Sequence, residues 1–462
     1  MPSPGEANRK NISLRSALNA ELHQAVFSIA SPVAAKGFDI CIVGGAVRDI
    51  VSGKTPEDVD FVTTATPEEM ALIFPEVKLT GSSFGVMRLR AGGCEFEIAT
   101  ARKERNYMDG RHPEKIQYTR DLDEDAQRRD FTFNAMRLDP LSGKLYDPSG
   151  GVTDLKQGLV RTVGEPEVRF KEDYLRMIRA IRFAARFHFD IEEKTFCAIK
   201  KLAPLCKELS GERIREEFTR ILTGKNPDYA LRLLLETGIL EAVLPEVARM
   251  PGVTQPEQFH PEGDVFEHTV LMLRHMAYPD PLLAWSVLLH DVGKPETRSV
   301  EPNGRIRFFC HEEAGSRIAQ KIMERLHFSN DEQQAVVQAV RDHMRMAHVP
   351  EMKKEKLRKL MAGKHFSMEL ELNRLDCLCS NKMMDSFLFL CDRICQSSEK
   401  DLLTLPEPWV RGRDLIEAGF APSPNFKKVL DETFDLQLSD VFPNRQAALR
   451  HAVKAIKKSL CS

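Results

Sequence analysis

The chain has 462 residues, of which 29% are charged and 42% are hydrophobic. This length allows several compact domains, and this composition is typical of folded globular proteins and excludes a largely disordered chain. The formal net charge of −2 excludes a uniformly basic surface. Any affinity for nucleic acid must therefore come from local clusters of arginine and lysine.

The N-terminal segment lacks the apolar core of a secretory signal, and no later segment is long and uncharged enough to span a bilayer. The sequence therefore predicts a cytoplasmic protein without a membrane partner. Ten cysteines are scattered along the chain without the paired CxxC blocks that a structural zinc site needs. We expect them to be reduced cysteines of the core and of helices.

Strand patterns dominate the chain up to about residue 161, and helical patterns dominate from about residue 166 onward. Short apolar or alternating runs are separated by glycine turns in the first part, as expected of an α/β domain. The strand candidates are Phe38–Val43, Asp60–Val62, Val86–Arg90 and Glu95–Ala99. In the second part the apolar residues recur at helical spacing, as in Tyr174–Ala185.

A pair of aspartates follows a glycine turn in the first part of the chain. Asp58 and Asp60 would point to the same face of a strand, because side chains alternate with a period of two. Two carboxylates held so close repel each other unless a cation lies between them, and hard oxygen ligands favour Mg²⁺. A surface turn is the alternative interpretation, since Asp-x-Asp by itself is common.

The whole block from Gly44 to Asp60 resembles the first motif of the polymerase-β-like family that contains class II tRNA nucleotidyltransferases and bacterial poly(A) polymerases. The resemblance implies that Asp58 and Asp60 bind catalytic Mg²⁺ and that Gly45 and Arg48 contact the triphosphate of the incoming nucleotide. Glu97, on a neighbouring strand candidate, is the candidate for a third carboxylate.

Two further blocks resemble motifs of the same family. In Arg128–Asn134, the resemblance implies that Arg129 contacts the nucleotide and Asp130 its sugar, whereas a solvated basic turn is the alternative. The segment Asp147–Leu155 resembles the hinge that follows. Ser210–Phe218 completes the family order as a capped structural helix, so that the resemblance covers about residues 37–245.

The segment Glu172–Arg176 resembles the motif that selects the nucleotide. On a helix Asp173 and Arg176 would be neighbours, and together they could offer an acceptor and donors to the Watson–Crick edge of CTP or ATP. Arg179 and Arg182 continue at the same interval, but the stripe winds around the helix, so we expect them to meet phosphate or to hold the motif in place. An exposed face of ion pairs is the alternative.

A different pattern of histidines and aspartates follows downstream. His290-Asp291, within Leu288–Lys294, resembles the HD phosphohydrolase superfamily, which binds divalent metal between helices. The resemblance implies a metal site that takes Mn²⁺, Ni²⁺ or Fe²⁺ and that can activate water against a phosphoester. An isolated helix histidine is more often structural than a ligand, so a structural role is the alternative for His311 and His343. The candidate ligands are His268, His290, Asp291, His311 and His343, with Asp376 as a weaker one.

The C-terminal part contains two candidate RNA contacts. Val410–Ile416 resembles the tail with which family members contact tRNA. A basic cluster at residues 353–359 could meet phosphates, although an ordinary solvated helix face explains it equally well.

The sequence favours template-independent addition of CCA to the 3′ end of tRNA from CTP and ATP, by two-metal phosphoryl transfer, together with a phosphohydrolase repair activity of the HD domain. Addition of A alone and poly(A) synthesis are alternatives within the family. Addition of CC alone is disfavoured, because Arg102–Pro113 retains a segment that resembles the flexible loop that such enzymes have lost. An HD phosphohydrolase whose head only binds RNA is the alternative from a different class.

We therefore predict an α+β fold. A polymerase-β-like nucleotidyltransferase head with a small mixed sheet is followed by an all-α neck, body, HD domain and tail. The predicted domains are the head at 20–161, the neck and body at 162–250, the HD domain at 251–380 and the tail at 381–462. The sequence does not predict an oligomeric state.

Overall fold

The computed structural model describes residues 11–79, 85–107, 113–396 and 404–460. The chain divides into two compact units, Met1–Ala248 and Arg249–Ser462. The predicted α+β class is confirmed, since a small mixed sheet lies in the first unit and helices dominate the second. The finer division into four domains stays a prediction. Among the described residues, no helix is both long enough and apolar enough to cross a membrane.

The first unit is built on a seven-stranded sheet with the strand order β3-β4-β5-β2-β1-β8-β9. Only the β2–β5 pair is parallel, and the other neighbouring pairs are antiparallel. Two-stranded pairs are formed by β6 with β7 and by β10 with β11. The strands are β1 (Ile40–Val43), β2 (Asp60–Thr63), β3 (Lys78–Leu79), β4 (Val86–Ala91), β5 (Cys94–Thr100), β6 (Arg102–Tyr107), β7 (Pro113–Tyr118), β8 (Arg137–Leu138), β9 (Leu145–Tyr146), β10 (Leu159–Val160) and β11 (Asp190–Ile191).

The helices of the first unit carry the motifs between and after these strands. They are α1 (Leu14–Ala17), α2 (Ala20–Ala35), α3 (Gly45–Val51), α4 (Pro67–Ile73), α5 (Leu122–Gln127), α6 (Gly151–Gln157), α7 (Pro166–Glu172), α8 (Leu175–Phe187), α9 (Glu193–Leu202), α10 (Gly211–Leu222), α11 (Pro227–Glu236), α12 (Ile239–Val243) and α13 (Pro245–Ala248). Short 3-10 turns are formed by Thr132–Asn134 and Ala203–Glu208. Helix α8 buries its predicted apolar positions Leu175, Ile178, Ile181 and Ala185, because they recur at helical spacing.

A cluster of aromatic rings joins the end of the head to α8. Phe131 and Phe133 are fully buried, and Phe183 of α8 packs edge-on against both, with ring centroids 5.6 and 5.5 Å away. Phe187, one turn further along α8, stacks on Phe183 at 6.0 Å. Edge-to-face and stacked geometries at these distances are the favourable ones for aromatic pairs. The cluster therefore fixes α8 against the segment that carries the second motif.

The second unit is helical apart from one hairpin. Its helices are α14 (Val265–His275), α15 (Pro281–Leu289), α16 (Lys294–Thr297), α17 (His311–Arg325), α18 (Asn330–Asp342), α19 (Lys354–Met361), α20 (Phe366–Cys379), α21 (Asp385–Gln396), α22 (Gly412–Glu417), α23 (Asn425–Leu438) and α24 (Arg445–Leu460), with a 3-10 helix at His343–Glu351. The C-terminal helices α22, α23 and α24 enclose a small core of their own that includes Leu415, Val429 and Ala452.

Three local predictions were wrong. The second unit is not entirely helical, because β12 (Arg298–Val300) and β13 (Ile306–Phe308) form an antiparallel hairpin. The described parts of Arg102–Pro113 are not a loop but belong to the paired strands β6 and β7, while residues 108–112 lie outside the described residues. Asp173 does not lie on a helix with Arg176, since its extended backbone separates α7 from α8.

We expect Phe133→Ala to lower the free energy of unfolding of the first unit by about 3–5 kcal/mol, because it removes a fully buried ring from the aromatic cluster. Hydrogen exchange measured by mass spectrometry on peptides of the first unit reports this loss. Phe27→Ala, at a side chain that is 48% exposed, is the matched control and should cost less than about 1 kcal/mol. Equal losses in the two variants would contradict the assigned core.

Candidate active site and metal centre

A glycine turn connects β1 to α3 at the centre of the first unit. Gly44 has a φ of 67° and a ψ of −131°, which side chains other than glycine avoid. The turn lets α3 begin at Gly45 directly beside the end of β1. Arg48 of α3 is only 5% exposed and lies under the ring of Phe187, with its guanidinium carbon 4.8 Å from the ring centroid. The turn and Arg48 thus form one wall of the site.

The two aspartates of the first motif lie at the start of β2. Asp60 is the first residue of the strand, and Asp58 precedes the strand instead of forming part of it as predicted. Both side chains are exposed and Val59 between them is buried, so the alternation of a strand continues and both carboxylates line one cavity. Desolvation raises the pKa of Asp60, and the charges of Glu97 and Asp58 raise it further. A bound cation would relieve this concentration of negative charge.

Glu97 lies on β5, the parallel neighbour of β2. Its chain neighbour Ile98 is the register partner of Phe61, which places Glu97 near the level of Asp60. Its carboxylate also accepts a hydrogen bond from Arg88 at 3.0 Å. The structure therefore brings Glu97 into the electrostatic field of Asp60, although it also has an ion-pair partner of its own.

The second motif forms a chain of charged and polar contacts. Asn134 accepts a hydrogen bond from Arg48 at 3.2 Å and donates one to Asp130 at 3.0 Å. Asp130 also accepts two hydrogen bonds from Arg179 of α8, the shorter at 2.7 Å. Burial raises the pKa of Asp130, but Arg179 and Asn134 outweigh it and hold this pKa below its usual range. Arg179, expected near a nucleotide, is thus held by Asp130.

Arg129 of the same motif is also engaged within the protein. It donates to Asp125 of α5 at 3.2 Å and to the backbone oxygen of Asn134 at 3.4 Å. Arg128 donates to Asp125 as well, at 2.6 Å. The two adjacent arginines are therefore not a solvated basic turn, since a buried carboxylate orients both.

The segment that is predicted to select the nucleotide, Glu172–Arg176, is organised by a residue that the sequence analysis missed, Arg213. Asp173 ends α7, accepts a hydrogen bond from the backbone N–H of Leu175 and forms a two-pronged ion pair with Arg213 of α10, at 3.0 and 2.8 Å. Arg176 donates to Glu172 at 2.6 Å and to the backbone oxygen of Arg128 at 2.9 Å. Asp173 and Arg176 still line the same cavity. They do so from two different places, because Asp173 lies between α7 and α8 and Arg176 lies on α8.

Glu217 of α10 is a second residue that the sequence analysis missed. It is 2% exposed and accepts hydrogen bonds from Arg182 at 2.5 Å and from Arg220 at 3.1 Å. Helix α10 therefore contributes both the partner of Asp173 and the partner of Arg182. The predicted helix at Ser210–Phe218 is confirmed, but the side chain of Ser210 makes no capping hydrogen bond.

Two adjacent cavities meet at these residues. The smaller one, about 550 Å³, is lined by Asp130, Asp173, Arg176 and Arg213. The larger one, about 1140 Å³, is lined by Asp58 and by residues of α10 and of the turn that follows. Both cavities are lined by Gly45, Arg48, Asp60, Arg182 and Arg186. Asp60 and the glycine turn thus lie where the two cavities join.

The second unit contains a histidine centre in which three rings are oriented alike. His290, His311 and His343 each place Nδ1 within hydrogen-bond distance of the backbone oxygen three residues earlier, at 2.8, 3.0 and 2.6 Å. This contact makes Nδ1 the protonated nitrogen and leaves the lone pair on Nε2. The Nε2 atoms of His311 and His343 are 3.2 Å apart, and Nε2 of His290 is buried without a hydrogen-bond partner. A metal ion would satisfy all three nitrogens.

Asp291 lies at the centre of these rings. Its carboxylate is 3.1 Å from Nε2 of His290 and 3.4 Å from Nε2 of His311, and Lys294 contacts it at 2.7 Å. Burial raises the pKa of Asp291, but the charges around it, His290 first, hold this pKa well below its usual range. Burial, together with the neighbouring histidines, lowers the pKa of His343 to about 4. The centre therefore offers a carboxylate and a neutral imidazole near neutral pH.

His268 extends the centre to the predicted candidate Asp376 and to Glu262 and His260, which the sequence analysis missed. Its Nδ1 lies 2.5 Å from Glu262, and its Nε2 lies 3.1 Å from Asp376. His260 contacts the same oxygen of Glu262 at 2.9 Å. Burial lowers the pKa of His268, but the hydrogen bonds to Asp376 and Glu262 outweigh it and raise this pKa to about 9. The described residues contain three groups able to hold a metal ion: His260–Glu262–His268, His268–His290–Asp376 and Asp291–His311–His343.

The basic cluster at residues 353–359 is largely neutralised within the second unit. Lys354 and Arg358 of α19 form ion pairs with Asp440, and Lys359 forms one with Asp435 of α23. These contacts favour the solvated helix face over a phosphate-binding surface.

Sequence profiles of three known domain types match the chain. The "Poly A polymerase head domain" matches residues 40–161, the "Probable RNA and SrmB- binding site of polymerase A" matches residues 188–250, and the "HD domain" matches residues 265–372. The three matches follow one another along the chain in the order polymerase head, RNA-binding segment and HD domain. The matched head contains the glycine turn, both aspartates and the second motif. The matched HD domain contains His268, His290, Asp291, His311 and His343.

Proteins with similar sequences carry the name CCA-adding enzyme. The one from Lactobacillus helveticus is 42% identical over 243 residues, which are 52% of this chain and 60% of that protein. The one from Geobacillus thermodenitrificans is 36% identical over 288 residues, which are 61% of this chain and 66% of that protein. The chain thus covers less than two thirds of the length of either relative.

The fold is similar to solved structures of CCA-adding enzymes. The Bacillus stearothermophilus CCA-adding enzyme in complex with CTP superposes with a TM-score of 0.71 and 25% identity, over 96% of this chain and 99% of that one. The Thermotoga maritima CCA-adding enzyme complexed with tRNA has a TM-score of 0.61 and 20% identity, over 97% of this chain and 99% of that one. The second likeness supports the fold alone.

Proposed function

We propose that the chain adds C and A nucleotides to the 3′ end of tRNA, taking them from CTP and ATP without a nucleic-acid template. The observation that carries this proposal is Asp60, which lies where a cavity lined by Asp173 and Arg176 joins a cavity lined by Asp58. A nucleotide held in the first cavity would present its phosphates to the carboxylates. The similarity to CCA-adding enzymes, one of them solved in complex with CTP, supports this activity over poly(A) synthesis.

In this proposal the paired carboxylates of Asp58 and Asp60 hold Mg²⁺, and Glu97 is the third acidic group beside them. Hard carboxylate oxygens that destabilise one another are a suitable ligand set for this ion. When bound, Mg²⁺ lowers the pKa of the RNA 3′-hydroxyl and stabilises the departing pyrophosphate. The glycine turn lets backbone N–H groups approach the triphosphate, while the buried guanidinium of Arg48 supplies positive charge at the same wall.

Base selection is assigned to the smaller cavity. Asp173 and Arg176 would offer hydrogen-bond acceptors and donors to the base, and Arg213 holds the carboxylate of Asp173 in one orientation. Arg129, Asp130, Arg179 and Arg182 act mainly by positioning, because each is engaged by another protein group. The cytoplasm, where the sequence analysis places the chain, supplies both nucleotides and tRNA.

The first test is to incubate the protein with tRNA that lacks its CCA end, with CTP and ATP separately and together. Addition of all three nucleotides is the expected result. An enzyme that adds A alone would act only on tRNA that already ends in CC, and a poly(A) polymerase would build a long tail with ATP. An HD phosphohydrolase whose head only binds RNA would add no nucleotide to either tRNA. Its phosphohydrolase activity would survive Asp58→Ala but not His290→Ala.

We expect Asp60→Ala to slow nucleotide addition at least about 1000-fold, because it removes a ligand of the proposed metal. Glu95→Ala is the matched control, since Glu95 is an acidic residue of β5 that lines neither cavity and faces only Arg90, at 3.9 Å. Single-turnover rates of primer extension measure both variants. A normal rate for Asp60→Ala would refute the assignment of the site.

We expect Arg213→Ala to lower discrimination between the correct nucleotides and UTP or GTP by about tenfold, because Asp173 would lose the partner that orients it. The ratio of kcat/KM for CTP to that for UTP measures this effect. Arg213→Lys should recover part of the discrimination, since lysine restores the charge but not the two-pronged contact. Arg232→Ala, on the surface of α11, is the control. An unchanged ratio in Arg213→Ala would exclude the positioning role.

A second candidate function is a metal-dependent phosphohydrolase activity of the HD domain, such as hydrolysis of a 2′,3′-cyclic phosphate at a damaged RNA end. It is favoured by the buried Nε2 of His290, which makes no hydrogen bond although the Asp291 carboxylate lies 3.1 Å away, and by the facing nitrogens of His311 and His343. Imidazole with carboxylate suits Mn²⁺, Ni²⁺ or Fe²⁺. Turnover of 2′,3′-cAMP with Mn²⁺ or Ni²⁺ that disappears in His290→Ala would establish the activity, and no turnover would exclude it for this substrate.

Metal binding to the second unit can be followed in the full chain by tryptophan fluorescence, because both tryptophans, Trp285 and Trp409, lie in that unit. At a free Ni²⁺ or Mn²⁺ concentration 100 times Kd, we expect binding to raise the free energy of unfolding, followed by tryptophan fluorescence, by about 2.7 kcal/mol. His311→Ala/His343→Ala should lose this increase. His275→Ala, at the exposed end of α14, should retain it. An increase that survives in the double variant would place the metal elsewhere.

A further inference from the structure

The larger cavity of the first unit is lined by basic side chains that have no carboxylate partner among the described residues. Lys54 and Lys225 line it, and Arg186 lines both cavities at their junction. All three side chains are exposed, and within the described part of the chain none has an ion-pair or hydrogen-bond partner. The other arginines nearby differ, since Arg182 and Arg220 are both bound to Glu217.

The positive charges at the junction also repel one another. Burial lowers the pKa of Arg48, and the charge of Arg186 lowers it further. Like charges repel each other, and an anion beside them lowers that repulsion. Arg48 already has Asp49 and Asn134 as hydrogen-bond partners, whereas no carboxylate among the described residues contacts Arg186, so Arg186 is open to an anion from outside the protein.

Aromatic rings accompany the free cations in the larger cavity. Phe187, His188 and Phe189 line it in succession at the end of α8. The ring of His188 is exposed and lies 5.5 Å from that of Tyr229. A positively charged groove with aromatic side chains is the combination that binds single-stranded nucleic acid, because phosphates meet the cations and bases stack on the rings. Phe187 already packs against Phe183 and Arg48, so the exposed ring of His188 is the one open to a base. A triphosphate tail alone would make no use of the rings.

We propose that the larger cavity receives the unpaired 3′-terminal nucleotides of the acceptor RNA, whose phosphates are bound by Lys54 and Lys225, while the smaller cavity receives the incoming nucleotide. This inference rests on the proposed function and assigns its two substrates to separate cavities. Asp58 lines only the larger cavity and Asp60 lines both, so the RNA 3′-hydroxyl and the nucleotide would meet at the paired carboxylates. Arg186 lies within reach of both substrates.

The test compares two labelled RNA hairpins by fluorescence anisotropy, one with an unpaired 3′ end and one with a blunt end. Lys54→Ala/Lys225→Ala should weaken binding of the first hairpin by about tenfold and leave the second unchanged. The slope of log Kd against log salt concentration for the first hairpin should fall by about 1.4, which corresponds to two lost phosphate contacts. The matched control is Lys36→Ala/Lys194→Ala, which removes two exposed, unpartnered lysines that line neither cavity.

Steady-state kinetics separate the two sources of phosphate. The KM for CTP and for ATP should stay unchanged in Lys54→Ala/Lys225→Ala, whereas Arg186→Ala should raise both the KM for nucleotide and the Kd for RNA. A higher nucleotide KM with unaltered RNA binding in the double lysine variant would overturn the proposal and assign the larger cavity to the triphosphate. An equal loss of affinity for both hairpins would also overturn the proposal, because the two lysines would then contact RNA in general and not its unpaired end. A protein that binds the unpaired end through these lysines but adds no nucleotide would refute the proposed function and not the cavity assignment.

Discussion

The geometry of the first unit depends on ion pairs that tie separate segments together through partly buried carboxylates. Arg179 of α8 reaches Asp130 of the second motif, and Arg213 of α10 reaches Asp173 between two helices. A buried charge is tolerated only when its partner is close and well oriented, so each pair restricts the segments that carry it. The residues around the smaller cavity are therefore held before any ligand arrives, which is the condition for recognition by fixed donors and acceptors.

The histidine centre of the second unit follows the same logic with different groups. Backbone carbonyls three residues earlier fix the rings of His290, His311 and His343, so their Nε2 atoms converge. His290 and His343 directly follow α15 and α18 and use carbonyls of those helices, whereas His311 begins α17 and uses the carbonyl at the end of β13. The centre is therefore assembled by the packing of α15, α17 and α18.

The sequence predicted local features of the site better than long-range ones. The spacing of Asp58 and Asp60, and the buried face of α8, are properties of a few consecutive residues, and the structure shows the expected alternation and burial. Arg213 lies 40 residues from its partner Asp173, and nothing in the local pattern of α10 distinguishes it from a solvent-exposed arginine. Which partner a charged side chain finds is decided by tertiary packing, and a single sequence does not encode it in any spacing.

The short hairpin β12–β13 was missed for a different reason. Its strands are only three residues each, and β12 is mostly polar, so the alternation in β13, Ile306-Arg-Phe308, is too short to be recognised as a strand. A turn signal was nevertheless present, since Asn303-Gly304 separates them and Gly304 has a φ of 81°. Asp173 shows the opposite case. A motif read as one continuous helix is broken there, because the carboxylate of Asp173 accepts the backbone N–H of Leu175 and starts a new helix.

Helix α8 ends at a residue with a strained backbone conformation, His188. His188 has a φ of 56° and a ψ of 49°, a left-handed conformation that glycine adopts freely and that costs any other residue roughly 1 kcal/mol. A glycine there would relax the backbone at the end of the helix but would leave Tyr229 without its neighbouring ring. The helix therefore ends in a mildly strained conformation at a residue whose imidazole lines the larger cavity.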